Sequence, residues 1–161
     1  MTNEKISKIL KEHGGGKAFF DALDAMVRGD SDILEQFTSF LKSRVNPNTY
    51  SLILSGRFGR ALMNNFGREL YEHFNEIVLL NGNLRSGEKP EGYVNSFKDY
   101  KYIFADDSFY SGATRNAANK YIKSTCSLGG FAEPGIKQTV VIYDGSKERD
   151  NSVFSLFRYH E

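Results

Sequence analysis

Tyr102-Ile103-Phe104-Ala105-Asp106-Asp107-Ser108-Phe109-Tyr110-Ser111-Gly112-Ala113-Thr114 is the stretch on which the fold of this chain turns. An uninterrupted apolar run passes into two adjacent acids and then into a turn of small and hydroxylated residues. A helix-forming stretch carrying Ala117 and Ala118 follows. Adjacent carboxylates directly after a buried strand are costly, because their charges repel and both lose water. Such a pair is tolerated where it is hydrogen-bonded or faces a ligand. The turn from Ser111 to Thr114 enters a helix, whose first backbone N–H groups and dipole favour an anion. The hydroxyls of Ser111 and Thr114 add donors. Carboxylates for a vicinal diol followed by an amide cradle for a phosphate describe a site for a ribose 5-phosphate. The same residues also fit an ordinary strand–loop–helix junction with two solvated aspartates and a serine cap.

Three further apolar runs are continuous rather than alternating: Leu52-Ile53-Leu54, Ile77-Val78-Leu79-Leu80 and Val140-Val141-Ile142-Tyr143. Strands covered on both faces look like this, as in a parallel sheet. A helical stripe of Leu62, Phe66, Leu70 and Phe74 separates the first run from the second, and Ala113 to Lys123 forms another helix after the Tyr102 to Ala105 run. The tail from Val153 to Tyr159 is a candidate edge strand. Strand and helix in alternation predict an α/β fold, an open and mostly parallel twisted sheet of about five strands with helical crossovers.

Residues 1–46 read as helical instead. Stripes at Ile6, Ile9 and Leu10, at Phe19, Phe20, Leu23, Met26 and Val27, and at Leu34, Phe37, Phe40, Leu41 and Val45 are interrupted at His13 to Gly16 and at Gly29. Asp30 or Ser31 is placed to cap the third helix. Asn46-Pro47-Asn48 ends the segment. The expected organisation is one globular unit: a helical segment over 1–46 packed on or capping an α/β domain over 47–161.

In an open parallel sheet, ligands bind beyond the carboxyl ends of the strands. Ser55-Gly56-Arg57-Phe58-Gly59-Arg60, Asn81-Gly82-Asn83-Leu84-Arg85, the Asp106 to Thr114 segment and Asp144-Gly145-Ser146-Lys147 all fall there. Two segments, Asn81 to Phe97 and Ser124 to Lys137, show no periodicity. The first is long and rich in Gly, Asn and charge, as functional loops often are.

Composition narrows the choice of function. Lys+Arg 21 against Asp+Glu 20 leaves a net charge of +1, which argues against a protein that coats nucleic acid. The single cysteine, Cys126, rules out an internal disulfide and a thiolate metal cluster. His13, His73 and His160 share no ligand spacing. No run approaches the roughly 18 apolar residues of a membrane span, and the polar start at Met1 has no apolar leader core, so a cytoplasmic protein is expected. Gly14-Gly15-Gly16-Lys17-Ala18 mimics a phosphate loop but lacks the earlier glycine, the following Ser/Thr and a preceding strand. Gly56-Arg57-Phe58-Gly59 has the form of a GxxG RNA-binding loop, yet follows a strand where such loops join two helices.

Tyr102 to Thr114 resembles the phosphoribosyl-diphosphate (PRPP) signature of the type I phosphoribosyltransferases: a hydrophobic strand, two acids, variable residues and a small-residue turn ending in Gly-x-Thr. The Asp-Asp-Ser start is similar to glutamine PRPP amidotransferases, and the Ser-Gly-Ala-Thr end with Ala117 and Ala118 resembles the ComF-type branch. Phe109 and Tyr110 depart from the small residues usual there, and 6-oxopurine enzymes carry an acid at the position of Tyr110. The likeness covers about Tyr50 to Tyr143; the helical N-terminus matches no known pattern.

The resemblance implies transfer of the ribose 5-phosphate of PRPP to a nitrogen acceptor, a nucleobase, with release of diphosphate. Asp106 and Asp107 would hold the ribose hydroxyls, and Ser108, Phe109, Tyr110, Ser111, Gly112, Ala113 and Thr114 would cradle the cofactor phosphate. Ser55, Gly56 and Arg57 match the place of the diphosphate loop. Arg85, Lys89 and Gly92 fall at the spacing of the catalytic loop of orotate phosphoribosyltransferases, whose second Lys and His are replaced by Ser86 and Glu91. Mg²⁺ would be held mainly by PRPP, with at most a water-mediated contact to Asp106 and no direct protein ligand. The resemblance also implies an acceptor hood, for which Asp144 to Lys147 and the N-terminal region are in place, and makes a homodimer a candidate assembly. Some members regulate transcription, keeping the PRPP site without turnover, so a non-catalytic PRPP or nucleotide sensor is the alternative.

Overall fold

The computed structural model describes residues 2–14, 16–80, 101–125 and 135–158. The elements run α1 (Thr2–His13), α2 (Lys17–Gly29), α3 (Ser31–Ser43), β1 (Ser51–Ser55), α4 (Gly56–His73), β2 (Ile77–Leu80), β3 (Lys101–Phe109), α5 (Ala113–Thr125), β4 (Gly135–Asp144) and β5 (Val153–Arg158). The five strands form one sheet in the order β2-β1-β3-β4-β5, and every pairing is parallel. The chain order reverses between β1 and β3, the crevice at which doubly wound sheets place their ligands.

Both faces of the sheet are covered, which is why its strands read as unbroken apolar runs. On one face Leu52, Leu54, Ile103, Ala105, Val140 and Ile142 share a core with Phe19, Leu23, Val27, Phe37, Leu41 and Leu62. On the other, Ile53, Val78, Tyr102 and Phe104 pack with Ala118 and Ile122 of α5. The N-terminal helices thus bury their apolar stripes in the same core as the sheet. Asp30 caps α3, accepting from the N–H groups of Asp32 and Ile33 at 3.1 Å each, and binds Lys5 of α1 at 2.6 Å. That ion pair holds the Asp30 carboxyl below its ordinary range and raises the Lys5 ammonium above its own.

Two strands extend beyond their apolar runs. β3 continues through Asp106, Asp107 and Ser108, with Asp106 opposite Val141 and Phe109 opposite Asp144 on the β4 ladder. β4 begins at Gly135, inside a segment without periodicity. Polar residues join a strand where the sheet rim faces a site or solvent, so hydrophobic pattern alone stops short of its ends. β5 follows β4 through residues 145–152, shorter than the dozen or so residues of a usual parallel crossover. Asp150 secures this connection, accepting from the N–H and hydroxyl of Ser152 and pairing with Arg115 of α5 at 2.8 Å. No helix among the described residues is long and apolar enough to cross a membrane.

Candidate functional site

The rim formed by the ends of β1, β3 and β4 gathers the predicted residues. Asp106, Asp107 and Ser108 are half-buried at the end of β3. The Asp106 carboxylate accepts the N–H of Asp107 at 2.8 Å, and the Ser108 hydroxyl lies 3.4 Å from the Asp107 carboxylate. These acids belong to the strand rather than to the loop after it, a correction to the sequence reading.

Beyond Phe109 the chain turns sharply. Gly112 takes the left-handed conformation (φ 79°), and a side chain there would meet the Phe109 ring at 3.2 Å. The Ser111 hydroxyl accepts the N–H of Ala113 at 3.3 Å, so it caps α5 at the mouth of the cradle. Ala113 and Thr114 form the first turn of α5, and the carbonyl of Gly112 accepts the N–H of Asn116 at 2.8 Å. A helix N-terminus therefore faces outward directly after the paired acids, the arrangement an anion requires.

Ser55, Gly56 and Arg57 reach the same rim from β1, but not as a loop. β1 ends at Ser55 and α4 begins at Gly56, whose φ of 67° makes the turn. The reason is packing: Phe58 is buried, and Gly59 lies so close to β1 that an added Cβ would stand 2.9 Å from Leu54 and Leu79. Arg57 is exposed on the first turn and has no partner among the described residues. Arg85, Lys89 and Gly92 lie outside the described residues, as do Cys126 and His160.

A cleft of about 510 Å³ opens between the signature and the β4–β5 connection, lined by Tyr110, Ser111, Arg115, Lys147, Arg149 and Asp150 among others. Arg115 spans it, its guanidinium 5.0 Å over the Phe109 ring and paired with Asp150. Phe109 is buried beneath, whereas Tyr110 is half-exposed. Gly145 lets the connection pass close to both aromatics, since a Cβ there would meet Tyr143 at 2.7 Å and Tyr110 at 3.1 Å. Asp144 is buried, accepts the N–H and hydroxyl of Ser146, and lies 3.5 Å from Arg158.

The sequence reading missed what α2 brings. Phe20 sits edge-on to Tyr110 at 5.5 Å, and one turn later the Asp24 carboxyl neighbours Asp107 closely enough to raise it. Asp24 also pairs with Arg28 at 3.1 Å. Burial pushes the Asp107 carboxyl above the usual carboxylate range; the Asp106 hydrogen bond opposes this and the neighbouring Asp24 charge reinforces it. The available signal was small: Asp24 falls beside the apolar stripe of α2, four residues after Phe20, and periodicity does not say what a helix packs against.

No family model and no curated protein matches the sequence. The fold, however, has solved counterparts. An adenine phosphoribosyltransferase from Giardia lamblia, complexed with 9-deazaadenine, matches with a TM-score of 0.55 at 15% identity, over 85% of each chain. A hypoxanthine phosphoribosyltransferase from Staphylococcus aureus matches with a TM-score of 0.52 at 10% identity, over 84% of this chain and 74% of the other. An adenine phosphoribosyltransferase from Leishmania tarentolae gives a TM-score of 0.50 at 15% identity. With its parallel sheet, its N-terminal helical segment and its acid-rich strand running through a glycine turn into a helix, the chain has the type I phosphoribosyltransferase fold.

Proposed function

We propose that the protein transfers the ribose 5-phosphate of PRPP to a nitrogen of a nucleobase, releasing diphosphate. The observation that carries the reading is the passage from Asp106 and Asp107 on β3, through the left-handed Gly112, into the N-terminus of α5, beside the β1–α4 turn. The half-buried acids would accept the ribose hydroxyls, and the backbone of 110–114 would anchor the 5-phosphate and use its binding energy for positioning. Gly56 and Arg57 would meet the diphosphate from α4. Arg85 and Lys89 are assigned to that leaving group by the resemblance of their segment to the orotate phosphoribosyltransferase loop.

Displacement at C1 develops oxocarbenium character, and a carboxylate about 4 Å away stabilises a unit charge by about 4 kcal/mol at an effective dielectric near 20. Among the described residues no three His, Cys, Asp or Glu side chains group to hold a metal. Asp106 fits a looser role, a carboxylate at the rim able to meet a hydrated ion. Mg²⁺ carried by PRPP would neutralise charge on the departing diphosphate.

The test is a thermal-shift titration with PRPP, with and without Mg²⁺, on wild type and on the D106N/D107N variant. A ligand at 100 times its Kd stabilises by about 2.7 kcal/mol. A shift in wild type that the variant loses, followed by diphosphate release with purines as the first acceptors tried, supports the reading. PRPP binding without turnover of any base assigns a regulator on this fold. No shift in wild type overturns both.

A further inference from the structure

The cleft of about 510 Å³ has two walls of different chemistry. One is the signature turn, where the ring of Tyr110 stands half-exposed. Phe20 meets that ring edge-on at 5.5 Å, and a Cβ on Gly145 would stand 3.1 Å from it, so packing sets how the ring is presented. The other wall is the β4–β5 connection, which is anchored at both ends. At its start the Gly145 N–H donates to the Phe109 carbonyl at 2.9 Å, and the Arg158 guanidinium donates to the Ser146 carbonyl at 3.3 Å. At its end Asp150 accepts the N–H of Ser152 at 2.8 Å and pairs with Arg115 at 2.8 Å.

Between these anchors Lys147, Glu148 and Arg149 are exposed, and all three line the cleft. The flanking acids are already matched, Asp144 by Arg158 at 3.5 Å and Asp150 by Arg115. Lys147, Glu148 and Arg149 have no ion-pair partner among the described residues. Two cations against one carboxylate leave this wall with a net positive charge. An aromatic platform across from uncompensated cations favours a flat ligand that carries an anion. Arg149 offers the planar fork that matches a carboxylate, and Lys147 a mobile point charge. A neutral base gains nothing from either.

We propose that the acceptor of this site is a nitrogen heteroaromatic ring bearing a carboxylate, its ring on Tyr110 and its carboxylate on Lys147 and Arg149. The inference deepens the phosphoribosyl-transfer reading and rests on it, and it departs from the adenine and hypoxanthine named for the solved counterparts. Product nucleotides test it without turnover. Calorimetry compares orotidine with uridine 5′-monophosphate, and nicotinate with nicotinamide mononucleotide. The members of each pair share the ring system and the ribose 5-phosphate and differ in the carboxylate, so their affinity ratio cancels what the phosphate contributes.

Wild type should bind at least one carboxylated nucleotide about tenfold or more tighter than its carboxylate-free partner. K147A/R149A should bring that ratio within about threefold and E148Q should raise it, both at the wild-type melting temperature. Ratios within about threefold for both pairs in wild type overturn the proposal, as does tighter binding of adenosine or inosine 5′-monophosphate than of either carboxylated nucleotide. A ratio that survives K147A/R149A, or that E148Q fails to raise, also overturns it. In each of these cases PRPP binding and diphosphate release with any other base leave the transfer reading standing. Wild type that binds neither PRPP nor any of these nucleotides removes the transfer reading itself.

Discussion

Asp107 ionises at a cost, because burial and the Asp24 carboxyl both push it above its ordinary 3.8, against the pull of the Asp106 hydrogen bond. A carboxyl raised on folding leaves stability intact below its unfolded pKa and erodes it as pH climbs through the folded value. D107N is therefore expected to melt close to wild type near pH 4 and higher near pH 7, while losing PRPP; a gap that narrows with rising pH would contradict this assignment. Asp150 has the opposite sign. Held to about 2 by the Ser152 hydrogen bonds and Arg115, it stabilises the fold above 3.8, and this contribution is lost as pH falls through about 2. With both partners partly exposed, R115A should cost about 1 kcal/mol at neutral pH, read by urea unfolding, and the difference should fade in acid. Asp106 and Asp107 were legible in the sequence because adjacent acids after an apolar run are physically odd. Asp24 was not, because an acid on a helix looks solvated until the helix is docked.

At the scale of elements, the rim depends on glycines where backbones meet. G59A would place a methyl 2.9 Å from Leu54 and Leu79 and push α4 off β1. A loss of about 1–3 kcal/mol is expected from such overpacking, measured by chemical denaturation, together with weaker PRPP binding through the displaced Gly56 turn. The strand cores were readable because continuous apolar runs mean two covered faces. Their ends were not: Asp106 to Phe109 and Gly135 to Thr139 are polar or mixed, and what keeps them in strand is the β3–β4 ladder, a pairing between segments far apart in sequence. The α3 cap was readable as Asp30 or Ser31, since capping depends on residues two or three apart. The direct passage of β1 into α4 was not, because it follows from Gly59 packing against strands.

Across the whole molecule, the α/β class was plain from alternating strand and helix patterns, whereas the seat of α2 against β3 and α4 came only with the folded chain. Phe19 is buried and meets Tyr143 edge-on at 4.8 Å. F19A should lower stability by about 3–5 kcal/mol, and far-ultraviolet and aromatic signals should still unfold in one coincident transition. Two separate transitions would mean that the helices and the sheet do not fold as a unit. Along α2, water-excluding and site-facing residues are immediate neighbours: Phe19 beside Phe20, Leu23 beside Asp24, Val27 beside Arg28. One residue is about 100° of helical rotation, so turning the helix by a single step would carry Phe20, Asp24 and Arg28 to where Phe19, Leu23 and Val27 now sit. Three apolar side chains thus act as the keyway of a rotating shaft, fixing the bearing at which an aromatic ring and a carboxylate meet the end of β3.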